Sequence, residues 1–599
     1  MQKKRFFYLL LAAICAILAL NACRSKQSSG IHEPITIQAS MENLDDFIAL
    51  VHETYPEINL KVIPYSGANY SAYCKAQLIA NDMPDIYCAR VYAPGEVDLS
   101  DRLIDLSGYD FTSEYSEAQL REVTDDGAIY MLPTYYDCLG ITYNKTLLEK
   151  NGWKLPTSFR DLEELAPKVE EAGYQLCLNQ TEFPGYGFQY LCNILDTTYF
   201  NTVEGRIWQK KFLAGEATIA DTAEMQKGLQ VLEKWRDLGM LNGNGSATSD
   251  GETQRIMAEG NTLFMLGNAN DFTNMDTKDQ FGLMPYLSAD GTQNAYILNL
   301  SRFLGLNKNL EKKGNEQKLT DALHVMEVLS TVDGMLAFNG CNSATSLLPL
   351  KDYTIDKNNI YAEIQSELNA GYTAPFIYAG WENLIVEIGE TMLAYSRKEA
   401  SLADVVQAFD QNQSRLWDNN EAIYTTVTEK IDTENCARLM GICMAQASGA
   451  DLALISTNKW YELTDAEESL NQDGVSGALY PLPVTDDIIT TILPTSWHGN
   501  IQTVTLSGRQ IRELLQTGYD RNENGKTFPY VLAMPEGMKL NAATTYTVAI
   551  AGVTSEVAKE GKLRDTGILG LDAARKYFSR FETFSTKDIV WEKADGESK

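Results

Sequence analysis

The hydrophobic pattern of this chain changes period repeatedly along its length, and each change marks an element. Ile35–Ala39 alternates like a strand, Leu44–Glu53 reads as helix, Asn59–Ile63 as strand, Tyr70–Asn81 as helix and Asp85–Cys88 as a third strand. Strands alternating with helices favour parallel pairing through right-handed crossovers. Farther on, Thr157 or Ser158 caps a helix reaching about Ala172, with acidic residues in its first turns. Met225, Leu229, Leu232, Trp235 and Leu238 form an apolar stripe at helical spacing, which reads as core. Leu319–Phe338 reads as one long helix, and Ser401 with Asp404 opens another as a capping box with Asp in place of Glu.

The polar stretch Asp410–Glu421 reads as a domain boundary, and beyond it the pattern restarts. A helix over about Thr433–Ala447 ends at Gly449, a C-cap residue. Ala450–Ser456, Thr503–Leu506 and Thr545–Ala551 read as strands. Ser507 with Gln510 makes a capping box for a helix ending near Gly518. This second unit is an α+β domain of about 180 residues, long enough to hold its own core.

The N-terminus carries chemistry of another kind. Lys3, Lys4 and Arg5 precede an apolar run from Phe6 to Leu20, then Asn21-Ala22-Cys23. The run falls short of the ~20 residues needed to span a bilayer, so residues 1–22 read as a secretory signal. Leu20-Asn21-Ala22-Cys23 resembles the bacterial lipobox, which implies acylation of Cys23 after cleavage and an extracytoplasmic, membrane-tethered chain. Residues 23–33 are the polar tether.

A net charge of −31 argues against nucleic acid as partner and against an anionic phosphate cargo. The cysteines Cys74, Cys88, Cys138, Cys177, Cys192, Cys341, Cys436 and Cys443 are scattered, with no C-x-x-C pair. They read as buried small hydrophobes or as members of disulfides whose pairing spacing cannot assign. Zinc is not expected, and four scattered histidines give no catalytic metal spacing. Asp520–Gly525 places oxygen ligands at calcium-loop positions, but Val531 stands where the bidentate Glu belongs, so a polar turn is the reading.

Four stretches carry a family resemblance. They are Met83-Pro84-Asp85-Ile86-Tyr87 with Leu103-Ile104-Asp105-Leu106; Asp126-Gly127-Ala128-Ile129-Tyr130-Met131-Leu132-Pro133 running into Gly140-Ile141-Thr142-Tyr143-Asn144-Lys145; Leu155-Pro156-Thr157-Ser158-Phe159; and Met257-Ala258-Glu259-Gly260-Asn261-Thr262-Leu263-Phe264-Met265. In this order residues 34–418 resemble the family 1 extracellular solute-binding proteins of ABC importers. The resemblance implies a type II periplasmic-binding-protein-like α/β fold, with lobe one at about 34–140 plus 290–345 and lobe two at about 146–285 plus 350–418. It also implies a carbohydrate ligand, an ABC permease as partner, no cofactor, no metal and a monomer. Sugars offer apolar C–H faces and many hydroxyls, so aromatic and polar side chains at strand ends are the candidates. These are Arg90, Tyr92, Tyr135, Tyr136, Tyr186, Asn268, Asp271 and Trp381.

Residues 422–590 resemble the C-terminal domain of 5′-nucleotidases. The resemblance rests on Asp432-Thr433-Glu434-Asn435, Gly449-Ala450-Asp451-Leu452-Ala453-Leu454-Ile455, Ile492-Leu493-Pro494 and Val504-Thr505-Leu506-Ser507-Gly508-Arg509-Gln510-Ile511. The family's metallophosphatase domain is not in the chain. The positions that meet nucleotide there are replaced here by Ser456-Thr457-Asn458-Lys459-Trp460 and Thr495-Ser496-Trp497-His498. A non-enzymatic carbohydrate-binding lipoprotein is therefore the leading expectation. A surface sensor or scaffold, or a divergent nucleotidase or glycosidase, is the alternative.

Overall fold

The computed structural model describes residues 31–39, 44–65, 69–89, 97–243, 250–267, 276–341, 346–357, 359–377, 381–416, 422–457, 474–494, 500–523, 530–551 and 561–591. Cys23, Arg90, Tyr92, Asn268, Asp271, Trp460, Trp497 and His498 lie outside the described residues.

Lobe one opens with β1 (Ile35–Ala39), β2 (Leu60–Pro64) and β3 (Ile86–Ala89), followed by the two-residue strands β4 (Thr124–Asp125) and β5 (Ala128–Ile129) and the longer β6 (Leu132–Leu139). The chain passes through Gly140 into lobe two, where β7 (Ile141–Asn144), β8 (Gln175–Asn179), β9 (Thr262–Leu266) and β10 (Phe281–Met284) form one sheet in the order β10-β7-β9-β8. It returns as β11 (Tyr296–Leu306) and β12 (Thr373–Pro375). The lobe-one sheet runs β12-β11-β3-β1-β2, with β6 also on β11. The early strands pair in parallel as their βαβ pattern demands.

Two large apolar cores result, one per lobe. Leu347, Leu348, Tyr361, Ile364 and Leu368 all sit in the lobe-one core. The expected return to lobe two by residue 350 is therefore corrected: the chain re-enters lobe two from β12 onward, where Ala374, Ile377 and Trp381 join its core. Two helices also divide where one was expected. Leu319–Phe338 becomes Glu316–Leu329 and Val332–Asn339, because Thr331 accepts a hydrogen bond from Gly334 N and caps a fresh start. The Met225–Leu238 stripe divides into Ala223–Leu229 and Val231–Asp237 around Gln230, yet Met225, Leu229, Leu232 and Trp235 are all fully buried. Ser158 caps Phe159–Glu171 through Asp161 N, and the Ser401–Asp404 capping box is formed on both sides.

The C-terminal unit contains β13 (Thr425–Val427), β14 (Leu452–Ser456), β15 (Pro483–Val484), β16 (Asn500–Ser507), β17 (Tyr530–Ala533), β18 (Thr545–Ala551), β19 (Arg564–Leu569) and β20 (Thr583–Phe584). Five of these form the sheet β17-β14-β18-β16-β19, and three form β15-β13-β20. The helices Thr433–Ser448 and Gly570–Phe578 pack in one core on the larger sheet, while the helix Gly508–Glu523 contributes Ile511 and Leu514 to another. Ser507 and Gln510 form their reciprocal cap. That helix continues past Gly518 to Glu523, so Asp520–Glu523 are helical and the polar-turn reading is corrected there. Helix-favouring Arg521 and Glu523 outweigh the turn composition.

The C-terminal unit is docked on lobe one along the helix Tyr70–Ala80. Tyr65 stacks on Tyr73 at 4.7 Å, and Tyr73 lies 6.2 Å from Tyr480. Ala478 and Tyr480 belong to the lobe-one core. The Asn69 amide donates to Asp487 Oδ1 and Thr490 Oγ1, both at 3.3 Å, and Lys430 pairs with Asp82 at the opposite end of the helix. Tyr70, Tyr73, Cys74, Ala76 and Leu78 are all buried, because this helix is covered from two sides.

Candidate functional site

Strand direction places the cleft. β1, β2 and β3 are parallel, and β6 runs the same way because both β6 and β3 are antiparallel to β11. Their carboxyl ends therefore point the same way; Ala89 at the end of β3 and Pro133 of β6 both stand opposite Phe303, and β6 runs on past that level to Leu139. In lobe two, β8 and β9 are parallel and β9 is antiparallel to β7, with Leu266 opposite Ile141. The carboxyl ends of β6, β8 and β9 thus meet near Gly140, and α/β sheets bind ligands outside the carboxyl ends of their strands. A Cβ at Gly140 would stand 2.5 Å from Met284 O, so only glycine lets the chain cross there without displacing β10.

The β6–β11 pair supplies the polar centre of this edge. Period-two alternation sends Tyr136 and Cys138 into the lobe-one core and leaves Tyr135 and Asp137 half-buried on the other face. Tyr135 stands opposite Ser301 and Asp137 opposite Asn299. The Tyr135 hydroxyl donates to Asp137 Oδ1 at 2.9 Å. Burial and then the Asp137 charge push the Tyr135 phenol well up, so it remains a donor. The Arg302 guanidinium lies 5.8 Å from the Tyr135 ring centroid, within cation–π range.

Arg302 is held there by an unusual backbone. Its φ is +56°, a left-handed conformation uncommon outside glycine. Its Nη1 donates to Asn339 Oδ1 at 2.9 Å and to Asn339 O at 3.2 Å, while Asn339 Nδ2 donates to Thr134 O at 2.9 Å. Thr134 Oγ1 in turn donates to Arg302 O at 3.0 Å. Strained backbone that its surroundings over-determine concentrates at functional sites. An aromatic face, a carboxylate and a guanidinium are therefore gathered on the strand pair that joins the lobes.

In lobe two the expected aromatic residue is packed inside the lobe. Tyr186 follows the carboxyl end of β8 on the helix Pro184–Leu195, 4.4 Å from the exposed Phe183 and 6.1 Å from Tyr190. The Tyr190 hydroxyl sits 2.8 Å from Gln180 O and 2.9 Å from Leu266 O, tying this helix to the edge of the sheet.

The expected residues thus have different placements. Tyr135 stands half-buried at the inter-lobe edge. Tyr186, 8% exposed, packs in the lobe-two core beside Tyr190. Tyr136, 5% exposed, packs in the lobe-one core. Trp381, 2% exposed, stacks on Phe212 at 5.2 Å and meets Phe188 and Phe409, so it is part of the lobe-two core. Asp137, Arg302 and Phe183 were not among the expected site residues. Asp137 could have been found from its two-residue spacing to Tyr135; Arg302 is visible only once the β6–β11 register is known.

Residues 37–314 match the family described as bacterial extracellular solute-binding protein. The chain is 23% identical over 167 residues to the maltodextrin-binding protein MdxE of Bacillus subtilis (strain 168), a match covering 27% of this chain and 39% of that relative's length. A family 1 extracellular solute-binding protein from Bifidobacterium longum subsp. infantis superposes with a TM-score of 0.52 at 16% identity, covering 64% of this chain and 100% of the other. The binding protein MsmE of Bacillus subtilis, in an open conformation, gives a TM-score of 0.51 at 14% identity, covering 64% and 98% respectively. The N-terminal part therefore has the two-lobe fold of the extracellular solute-binding proteins. Among the described residues no helix is long and apolar enough to cross a membrane.

Proposed function

We propose that this protein is a lipid-anchored, extracytoplasmic binding protein that captures a carbohydrate between its lobes and delivers it to an ABC transporter permease. The observation that carries this reading is the Tyr135–Asp137–Arg302 group on the β6–β11 pair, at the edge where both sheets end. Its chemistry suits a sugar: an aromatic face for C–H groups, a carboxylate that accepts from hydroxyls, and a guanidinium that donates to them. The family match and the maltodextrin-binding relative support the same class of ligand. Closure of the lobes about Gly140 traps the ligand.

Tyr135 is the aromatic contact in this reading, with Arg90, Asn268 and Asp271 as further polar contacts. Cys23 carries the lipid, and the protein is a monomer that binds without turnover. The C-terminal unit is a 5′-nucleotidase C-terminal-like domain without catalysis, a reading supported by the α+β arrangement around β14, β16 and β18.

The test is calorimetric titration and thermal unfolding of the full soluble chain against a broad carbohydrate panel. A bound oligosaccharide raises the unfolding temperature through linkage. A panel that produces neither heat nor shift overturns the reading, and hydrolysis of a glycoside or nucleotide by the pure protein replaces it with an enzymatic one.

A further inference from the structure

The C-terminal unit meets lobe one at a telling place. Tyr65 directly follows the carboxyl end of β2, and Asn69 caps the helix that comes next. Both lie at the carboxyl ends of β1, β2 and β3, a level that Pro133 of β6 shares and that Tyr135 overtops by two residues. The helix Asp486–Ile492 sits against those strand ends. Tyr65 donates to Thr491 O at 3.0 Å, and the Asn69 amide donates to Asp487 Oδ1 and Thr490 Oγ1 while its own Oδ1 accepts from Ala72 N. Asn69 is thus held from both sides, and Asp487 remains exposed beside it. β6 and β2 are separated by four strand spacings, roughly 19 Å. The C-terminal unit therefore stands at the far side of the carboxyl-end face from β6, whose Tyr135 and Asp137 rise beyond that face toward the lobe crossing.

We propose that the helix Asp486–Ile492 forms the end wall of the carbohydrate cleft and limits the length of the ligand, with Asp487 as the polar group it presents to the last sugar unit. The inference rests on the carbohydrate reading above. A ligand growing from Tyr135 along the strand ends runs into this helix. One that just reaches it gains a carboxylate acceptor for its terminal hydroxyls. Specificity for chain length would then reside in a domain outside the two lobes.

The full soluble chain is titrated with maltose through maltoheptaose and, in parallel, with the raffinose series of galactosides. Asp487→Ala should weaken the longest well-bound member about tenfold, the loss of one good hydrogen bond, and leave the shortest unchanged. Asp487→Asn, which keeps the size of the side chain, should give a smaller loss. An Asn69→Cys, Thr490→Cys pair, oxidised to a disulfide, should bind the whole series as the wild type does, because the wall stays in place. Identical length profiles for wild type and both Asp487 variants overturn the proposal, as does loss of all binding in the cross-linked protein. Failure of the wild type to bind any member of a broad panel overturns the carbohydrate reading itself, and the proposal with it.

Discussion

The Tyr65 hydroxyl donates to the main-chain oxygen of Thr491 at 3.0 Å, a buried hydrogen bond between residues 426 positions apart. The same ring stacks on Tyr73, which leads to Tyr480. Burial pushes all three phenols upward, so they remain neutral across the physiological range. Tyr65→Phe leaves the Thr491 carbonyl without this donor and should cost about 1–3 kcal/mol of docking free energy. Tyr480→Ala also removes a buried ring and should cost more, about 3–5 kcal/mol. Calorimetry of the full chain should show the C-terminal unit melting separately in the second variant, and a single unchanged transition would refute the clasp.

Tyr135 and Tyr136 are neighbours with different surroundings. Tyr135→Phe removes the hydrogen bond to Asp137 and should weaken carbohydrate binding by about tenfold, the value of one such bond. Tyr136→Phe alters a core position and should leave affinity as it is. Titration of both variants decides this, and equal losses would contradict the placement of the two rings.

Among the described residues eight cysteines are free, and seven of them are buried. Burial raises the Cys88 thiol to about 11 and holds Cys74, Cys138, Cys177, Cys192, Cys436 and Cys443 well above the usual thiol range. Thiolate is the reactive form. Alkylation of the native protein at mildly alkaline pH, read by peptide mass spectrometry, should therefore mark Cys341 first. The seven buried thiols should react only after unfolding, and early labelling of Cys88 would contradict the packing.

Arg575 reaches Asp486 with two hydrogen bonds, at 2.8 and 2.6 Å, and these hold the Asp486 carboxyl below the ordinary range. A lowered folded value means that the pair's stabilisation is fully present above the unfolded carboxylate pKa of ~3.9 and fades as pH falls through the folded value. Both side chains are more than a third exposed, so solvent screening limits the contribution to about 1 kcal/mol or less. Asp486→Asn should lower stability at neutral pH and flatten the acid limb of the profile below about pH 4. An unaltered acid limb would rule the pair out as a contributor.

Local chemistry was the readable part of this sequence. Ser158, Ser401 and Ser507 cap the helices that their spacing predicts, since a cap involves residues only three apart. The sites of failure are long-range. Trp381 sits among aromatic residues that read equally well as cleft or core, and Phe212, on which it stacks, lies far away in the sequence. Arg302 reaches Tyr135 only through the register of two strands separated by all of lobe two. The boundary between lobes was misplaced because segment 347–368 is apolar in a way that suits either core, and only the pairing of β12 with β11 assigns it.

The helix Tyr70–Ala80 exposes only Ser71 and Lys75 to water and is otherwise buried or partly buried, and this bears on how the chain can be handled. A version ending near Leu416 would uncover Tyr65 and Tyr73, each now less than a tenth exposed, as an aromatic stripe on an otherwise acidic surface. Such stripes invite self-association. The appended domain thus acts for its neighbour as a permanent, covalently supplied chaperone.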